Sequence, residues 1–321
     1  MQKKLIVTAD DYGVFPSVNK GVIEAIKQGK VNSVACISNY VNSVNNVINL
    51  QAEVGVKADV GCHLTISSGK PLILKDHEAF TSEGYFRPFG ELLLDDIEKC
   101  LPELKKELIA QVETFKDSNI YVNHLSCHHN TLTNTKALFK TYLEVANHFK
   151  LPMRSVNLIP DSQDTNYRLV LRILLFDDLS PKKRKEIKSF GKEIRNFLKS
   201  HEIQVSTPDL LECRHYGPLP IKDIWDISIP RLVEKKHNDL KKFMQQFVSS
   251  TDQTGELMLH LIKHDKLLYK EDEKIDYPGI NKKYFDSRRV EFESINQFDF
   301  SKYPEIKFAS WNEINKNELP V

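Results

Sequence analysis

"KKLIVTADDYG", residues 3–13, decides how the rest of the chain is read. Its first eight residues form a short apolar run without helical spacing, which predicts a buried strand. The run stops at two adjacent carboxylates, Asp10 and Asp11, followed by Tyr12 and Gly13. "PSVNKGVIEAIKQGK" (16–30) then predicts a helix. Pro16 suits its first turn, Val18, Val22, Ile23 and Ile26 share one face, and Gly29 can stop it. The cycle repeats along the chain. "VNSVACIS" (31–38) and "DVGCHLTI" (59–66) are strand-like, and "NSVNNVINLQAEV" (42–54) between them is helical with Asn42 as its cap. After a polar loop, an amphipathic stretch runs over about 91–117, followed by a strand at "YVNHLSCH" (121–128), a helix at 134–149 and a strand at "MRSVNLI" (153–159). Such alternation implies an α/β fold on a parallel sheet, either closed as a barrel or open and doubly wound.

The second half is harder to read. Between about 160 and 250, "SPKKRKEIKSFGKEIRNFLKSHE" and "VEKKHNDLKKFMQQFV" predict basic, amphipathic helices. No aromatic residues interleave with their charges as a stacking platform, so these are solvated faces and not a nucleic-acid surface. "GELMLHLI" (255–262) is again strand-like, "YFDSRRVEFESI" (284–295) helical, and "IKFASWNEI" (306–314) a closing strand. We expect residues 1–321 to form a single domain with a large helical region over about 160–250.

Composition narrows the class. A net charge of +1 offers nothing to nucleic acid or a charged membrane, and no apolar run approaches the ~20 residues of a membrane-spanning helix. The apolar core of "MQKKLIVTAD" is too short for a signal peptide. Five scattered cysteines without a CxxC pair argue against a disulfide framework or zinc ribbon, so a reducing cytoplasm is the expected location. A homodimer is compatible with the sequence, although no motif points to one.

Chemistry in parallel α/β folds gathers at the C-terminal ends of strands. There the sequence places Asp10 and Asp11, then His63, then His124, Ser126 and His128, and finally His260. Period-two geometry puts His124, Ser126 and His128 on one face and Cys127 on the other, where it packs. Singly, each histidine reads as a hydrogen-bonded core residue, and Asp-Asp-Tyr-Gly as a capping turn. Together, so many polar groups need a shared purpose, because burying them separately is costly. One carboxylate with two imidazoles suits a divalent ion, a second carboxylate suits a base, and another histidine suits an acid.

These residues resemble the YdjC-like family of carbohydrate deacetylases, which includes the bacterial chitooligosaccharide deacetylases. "IVTADDYG", "VGCHLTISSGKPL" and "ELIAQVETF" followed by "NHLSCHH" carry the likeness, with "STPDLLE", "GELMLH" and "RRVEFESI" downstream in the expected order. The resemblance implies an irregular TIM-barrel-like (β/α) barrel, related in plan to polysaccharide deacetylases. It also implies ligation of one divalent ion by Asp11, His63 and His128, with Asp10 as general base and His260 as general acid. The substrate implied is a small amino sugar or chitooligosaccharide that loses its N-acetyl group. Ligand softness suits zinc, cobalt or manganese, whereas the family is commonly assigned magnesium.

The chain departs from the family pattern at Ser126, where an aspartate is expected, at Asn130, where a histidine is expected, and at Leu261, where a proline is usual. Lys70, in Gly69-Lys70-Pro71, reads equally as a substrate-loop residue or part of a plain turn. His124 reads as a substrate contact or a support for the metal ligands, and Arg154 as a substrate contact or a surface salt bridge. Two rival functions remain: a sugar-binding barrel of the same family that has lost catalysis, which Ser126 and Asn130 would favour, and a non-haem iron oxygenase. The second lacks the His-x-Asp/Glu pair and all-β pattern it would need.

Overall fold

The computed structural model describes residues 2–154, 205–212, 228–275 and 282–314. At its centre is β1 (Lys3–Tyr12), with β2 (Ser33–Cys36), β3 (Asp59–Leu64) and β6 (Leu125–Cys127) on one side and β8 (Thr254–Leu259) and β7 (Leu210–Glu212) on the other. Every pairing in this sheet is parallel. A two-residue hairpin, β4 (Thr81–Ser82) and β5 (Tyr85–Phe86), stands apart from it. Beyond β6, Met153 forms one parallel bridge with Leu125, and its N–H donates to the Ser206 carbonyl at 3.0 Å. The expected strand at 153–159 therefore has its first two residues described, and the rest lies outside the described residues. Among the described residues the sheet forms no closed ring.

The helices follow the predicted periodicity closely. In α1 (Pro16–Lys27), Val18, Val22 and Ile26 are buried against the sheet and Ile23 is half-buried. Each fully buried aliphatic side chain contributes about 1.5–3 kcal/mol relative to exposure. Gly29, at φ +67°, turns the chain after the helix. In α2 (Ser43–Val54), Asn42 occupies the cap position, but it adopts a left-handed φ of 69° and its side chain makes no capping hydrogen bond. The 91–117 stretch is two helices, α3 (Leu94–Ile97) and α4 (Leu101–Lys116). Pro102 lies in the first turn of α4, where its missing N–H is harmless, and a continuous helix through it is disfavoured. α5 (Lys136–Phe149) is capped by the Thr135 hydroxyl, which accepts from Leu138 N–H.

Of the two predicted basic helices, 233–248 lies within α6 (Ile229–Ser249), while 180–202 falls outside the described residues. α7 (Lys266–Asp272) and α8 (Lys282–Gln297) complete the outer layer. The final strand departs from expectation. β9 (Ile306–Phe308) pairs with Lys3–Leu5 of β1, and among the described residues it closes no ring. The chain then leaves the sheet because Asp59 accepts from Ser310 Oγ and Trp311 N–H, at 2.9 and 2.6 Å. Trp311 is thereby buried beneath the sheet, with its indole N–H on Ser33 Oγ at 2.9 Å. Among the described residues no helix is long and apolar enough to cross a membrane, and Cys36, Cys62, Cys100 and Cys127 are free thiols.

Candidate metal centre

Strict strand alternation would turn Asp10 and Asp11 to opposite faces of the sheet. The backbone prevents this. Between Ala9 and Tyr12, β1 advances three residues while β2 advances two, from Val34 to Cys36, which is a one-residue bulge. Asp11 absorbs the bend at φ 66°, a left-handed conformation that aspartate tolerates better than most residues. Both carboxylates consequently face one site, each 1% exposed. Gly13, at φ 97°, continues the turn, and an added Cβ would sit 3.3 Å from the Ile37 carbonyl oxygen.

Three imidazoles converge on this pair. His63 Nε2 lies 3.6 Å from Asp11 Oδ1 and 3.7 Å from Asp10 Oδ2. His128 Nδ1 lies 2.9 Å from Asp11 Oδ1. His260 Nε2, one residue beyond β8, lies 3.7 Å from Asp11 Oδ2 and 3.9 Å from Asp10 Oδ2. One ligating atom each from Asp11, His63 and His128 falls within 4.8 Å of the others. The two Asp11 oxygens are buried and neither accepts a hydrogen bond of good geometry, which is costly for a carboxylate. This donor set fits a divalent ion.

The electrostatics match. Burial alone would raise Asp11, but the imidazoles of His128, His260 and His63 outweigh it and hold the carboxyl well below its usual range. Burial, reinforced by neighbouring charge, pushes His63 and His260 well below the ordinary histidine value, although Asp11 opposes this. Neutral imidazole is the form that ligates metals. Burial raises Asp10 to about 6 against the opposing pull of Arg154.

Arg154 corrects one reading. It is no surface salt bridge: at 3% exposure, its Nη1 and Nη2 donate to Asp10 Oδ2 and Oδ1 at 2.6 and 2.7 Å. Its Nε and Nη2 also reach Glu256 Oε1, at 3.0 and 2.8 Å. The two-base reach of a buried guanidinium is invisible in sequence, because its partners lie 144 and 102 residues away. Ser126 takes a definite place, with its Oγ 2.6 Å from His63 Nδ1, so it fixes the ring whose other nitrogen faces the carboxylates.

His124 shares a strand face with His128 but does not join the cluster. Four residues at about 3.3 Å each separate them along the strand direction. His124 instead stacks on Trp311, with centroids 4.5 Å apart, and its Nδ1 lies 2.8 Å from Asn123 Oδ1. Gly61 leaves room for that ring, since a Cβ there would meet His124 Nε2 at 2.2 Å. Lys70 is exposed, 4.8 Å over the Tyr85 ring, and among the described residues it forms no ion pair with the cluster's carboxylates. Sequence reasoning missed His129, which packs on His128 with centroids 3.8 Å apart and bonds Ser67 Oγ through Nδ1 at 3.0 Å. It also missed Arg288, 3.8 Å from Asp11 Oδ2 and 3.5 Å over the Tyr284 ring. Both sit in stretches quoted above for other reasons.

The family model for YdjC-like proteins matches residues 4–303. A carbohydrate deacetylase of Thermoanaerobacter pseudethanolicus is 31% identical over 160 residues, 49% of this chain and 61% of the relative. One from Clostridium beijerinckii is 27% identical over 165 residues, 51% of this chain and 65% of the relative. The matched segments thus span less than two thirds of these relatives. Among solved structures, a "putative cellobiose-phosphate cleavage protein" from Enterococcus faecalis V583 superposes with a TM-score of 0.65 at 21% identity, covering 98% of this chain and 99% of that one. With the family match covering nearly the whole sequence, the chain belongs to the YdjC-like family.

Proposed function

We propose that this protein is a metal-dependent hydrolase that removes an N-acetyl group from a small amino-sugar or chitooligosaccharide-type substrate. The observation that carries the reading is the convergence of Asp11, His63 and His128 with two further titratable groups, Asp10 and His260, at the C-terminal ends of the strands. The relatives' name, carbohydrate deacetylase, supports deacetylation of a carbohydrate, and the amino-sugar substrate is our reading. Asp11, His63 and His128 hold one divalent ion, zinc, magnesium, manganese or cobalt, which polarises a carbonyl and acidifies water when bound.

The chain's own residues supply the proton transfers. Asp10, ionised above about pH 6, accepts a proton from the attacking water while Arg154 fixes its orientation. The water oxygen bonds to the amide carbon, the C–N bond breaks, and acetate and a free amine leave. His260 donates to the departing nitrogen. For that role its pKa has to rise with substrate in place, and Asp10 and Asp11, at 3.9 and 3.7 Å, are the groups that favour the imidazolium.

Ser126 supports this over a non-catalytic sugar binder, because it orients His63 where the family's aspartate is replaced. We further propose that residues 1–321 form one catalytic domain whose sheet closes into an irregular (β/α) barrel through Met153 and Ser206. Buried free thiols at Cys36, Cys62 and Cys127 fit a cytoplasmic setting. The test is acetate release from diacetylchitobiose and its 6-phosphate by wild type, Asp10→Asn and His260→Ala. Release lost in both variants supports the assignment, and no release from metal-loaded wild type on any acetylated sugar refutes it.

A further inference from the structure

α4 carries an anomaly on its buried face. Among Leu104, Leu108, Val112 and Phe115, it buries two polar side chains one turn apart, Glu107 and Gln111, both 0% exposed. Both are spent on one segment, the loop that leaves β3 just after His63. Gln111 Oε1 accepts from Thr65 N–H at 2.9 Å and its Nε2 donates to the Thr65 carbonyl at 2.8 Å, so the side-chain amide pairs with the backbone as a strand neighbour would. The same Nε2 donates to Glu107 Oε1 at 2.9 Å. The Glu107 carboxylate then sits in a nest of consecutive backbone donors, Leu72, Ile73 and Leu74 N–H, at 3.1, 2.7 and 3.3 Å. One helical turn thus grips residues 65 and 72–74, the two ends of this loop.

Between those ends the loop touches His129, the neighbour of the candidate ligand His128. Ser67 Oγ lies 3.0 Å from His129 Nδ1, and the His129 ring packs against the ring of His128. His129 and Asn130 both hold left-handed backbones, φ 54° and 52°, a conformation that needs support from its surroundings. On the other side Ser68 Oγ meets Tyr40 OH at 2.5 Å, and Asn39 Nδ2 donates to the Ser68 and Lys70 carbonyls.

We propose that Glu107 and Gln111 are positioning residues that set the metal affinity of the site, acting through Ser67 and His129 on the ring of His128. The proposal rests on the assignment of Asp11, His63 and His128 as ligands. A metal site binds tightly when its ligands are already held in place, and loss of such support typically costs about 10–100-fold in affinity. The route is specific: α4 fixes the loop, the loop fixes Ser67, and Ser67 fixes the ring that backs His128.

The test is Co²⁺ titration of the metal-stripped full chain, followed by the visible spectrum of the bound ion, with no substrate present. Wild type, Glu107→Gln, Ser67→Ala, their double variant and His128→Ala are compared. Glu107→Gln removes the charge and places an N–H₂ against backbone N–H donors, so it and Ser67→Ala should each weaken Co²⁺ binding about tenfold or more. Because both act along one route, the double variant should be no weaker than the worse single variant. Wild-type affinity in either single variant, or losses that simply add, overturns the proposal. Should Glu107→Gln fail to fold, Ser67→Ala, which leaves α4 untouched, still decides it. If His128→Ala binds Co²⁺ as wild type does, the ligand assignment itself has failed, a result distinct from failure of the clamp.

Discussion

Arg154 holds two buried carboxylates at once, and its removal has a cost that can be worked out. Arg154, Asp10 and Glu256 are 3%, 1% and 0% exposed, so water cannot take the guanidinium's place. Arg154→Met keeps most of the aliphatic volume but leaves both carboxylates without their cation. Breaking a buried ion pair from one side costs about 3–5 kcal/mol. That is a large part of the roughly 5–15 kcal/mol that stabilises a typical folded protein. Glu256→Gln added to Arg154→Met should recover part of the loss, since only one charge is then stranded. The loss also has a required pH dependence. Burial already raises Asp10 to about 6 from 3.8 despite Arg154, and without the guanidinium it rises further. A carboxyl whose folded pKa exceeds its unfolded value contributes stability below the unfolded value and loses it as pH rises through the folded one. The variant's deficit is therefore greatest near pH 8 and shrinks toward pH 5. Urea unfolding of the metal-free proteins at both pH values measures it. A deficit under about 0.5 kcal/mol at pH 8, the range of ordinary surface changes, or one that grows on acidification, refutes the reasoning.

Three further outcomes follow from the geometry. Gly21→Ala places a Cβ 2.8 Å from Lys263 N and 3.2 Å from Leu261 O, in the segment just after His260. It should lower kcat on a deacetylation substrate by up to about 10²-fold, whereas a stabilised, fully active variant would show that only helix propensity matters there. Ser126→Ala removes the 2.6 Å contact to His63 Nδ1 and should weaken metal binding by about 10–100-fold, read by Co²⁺ titration. Lys236→Met strips the cation 3.6 Å from Glu291, whose carboxyl burial has raised to about 7 and whose Oε2 accepts from His260 N–H at 2.7 Å. The sign is that of a raised carboxyl, so thermal unfolding should show a larger deficit at pH 8 than at pH 5.

How much could be read in the sequence differs between local and non-local features. The strand at 3–10 and the helix after Pro16 follow from apolar spacing alone, and the structure has them within a few residues. The cluster of polar strand ends is legible because strand ends gather chemistry. The choice of Asp11, His63 and His128 as ligands comes instead from the family resemblance, and the structure brings one donor atom of each within 4.8 Å of the others. The bulge at Asp10–Asp11 is not legible, because the sequence permits a left-handed Asp11 without requiring it. Alternation puts His124 on the face of His128 but says nothing of height along the strand, and the stacking of His124 on Trp311 is not legible from it. Glu107 and Gln111 escaped notice as functional residues for a related reason: polar residues one turn apart on a helix usually face water. Arg154 could not be paired with Asp10 or Glu256 because only the assembled sheet brings them together.

The central claim is that one divalent ion, held by Asp11, His63 and His128, is required for amide hydrolysis. The direct measurement is acetate release from diacetylchitobiose by metal-stripped protein, titrated with Zn²⁺, Mn²⁺ or Mg²⁺, beside His128→Ala. The account predicts no release without metal, activity that rises to a break at about one equivalent per chain, and none in His128→Ala at that loading. Full activity in the metal-stripped protein, or in His128→Ala, would contradict it.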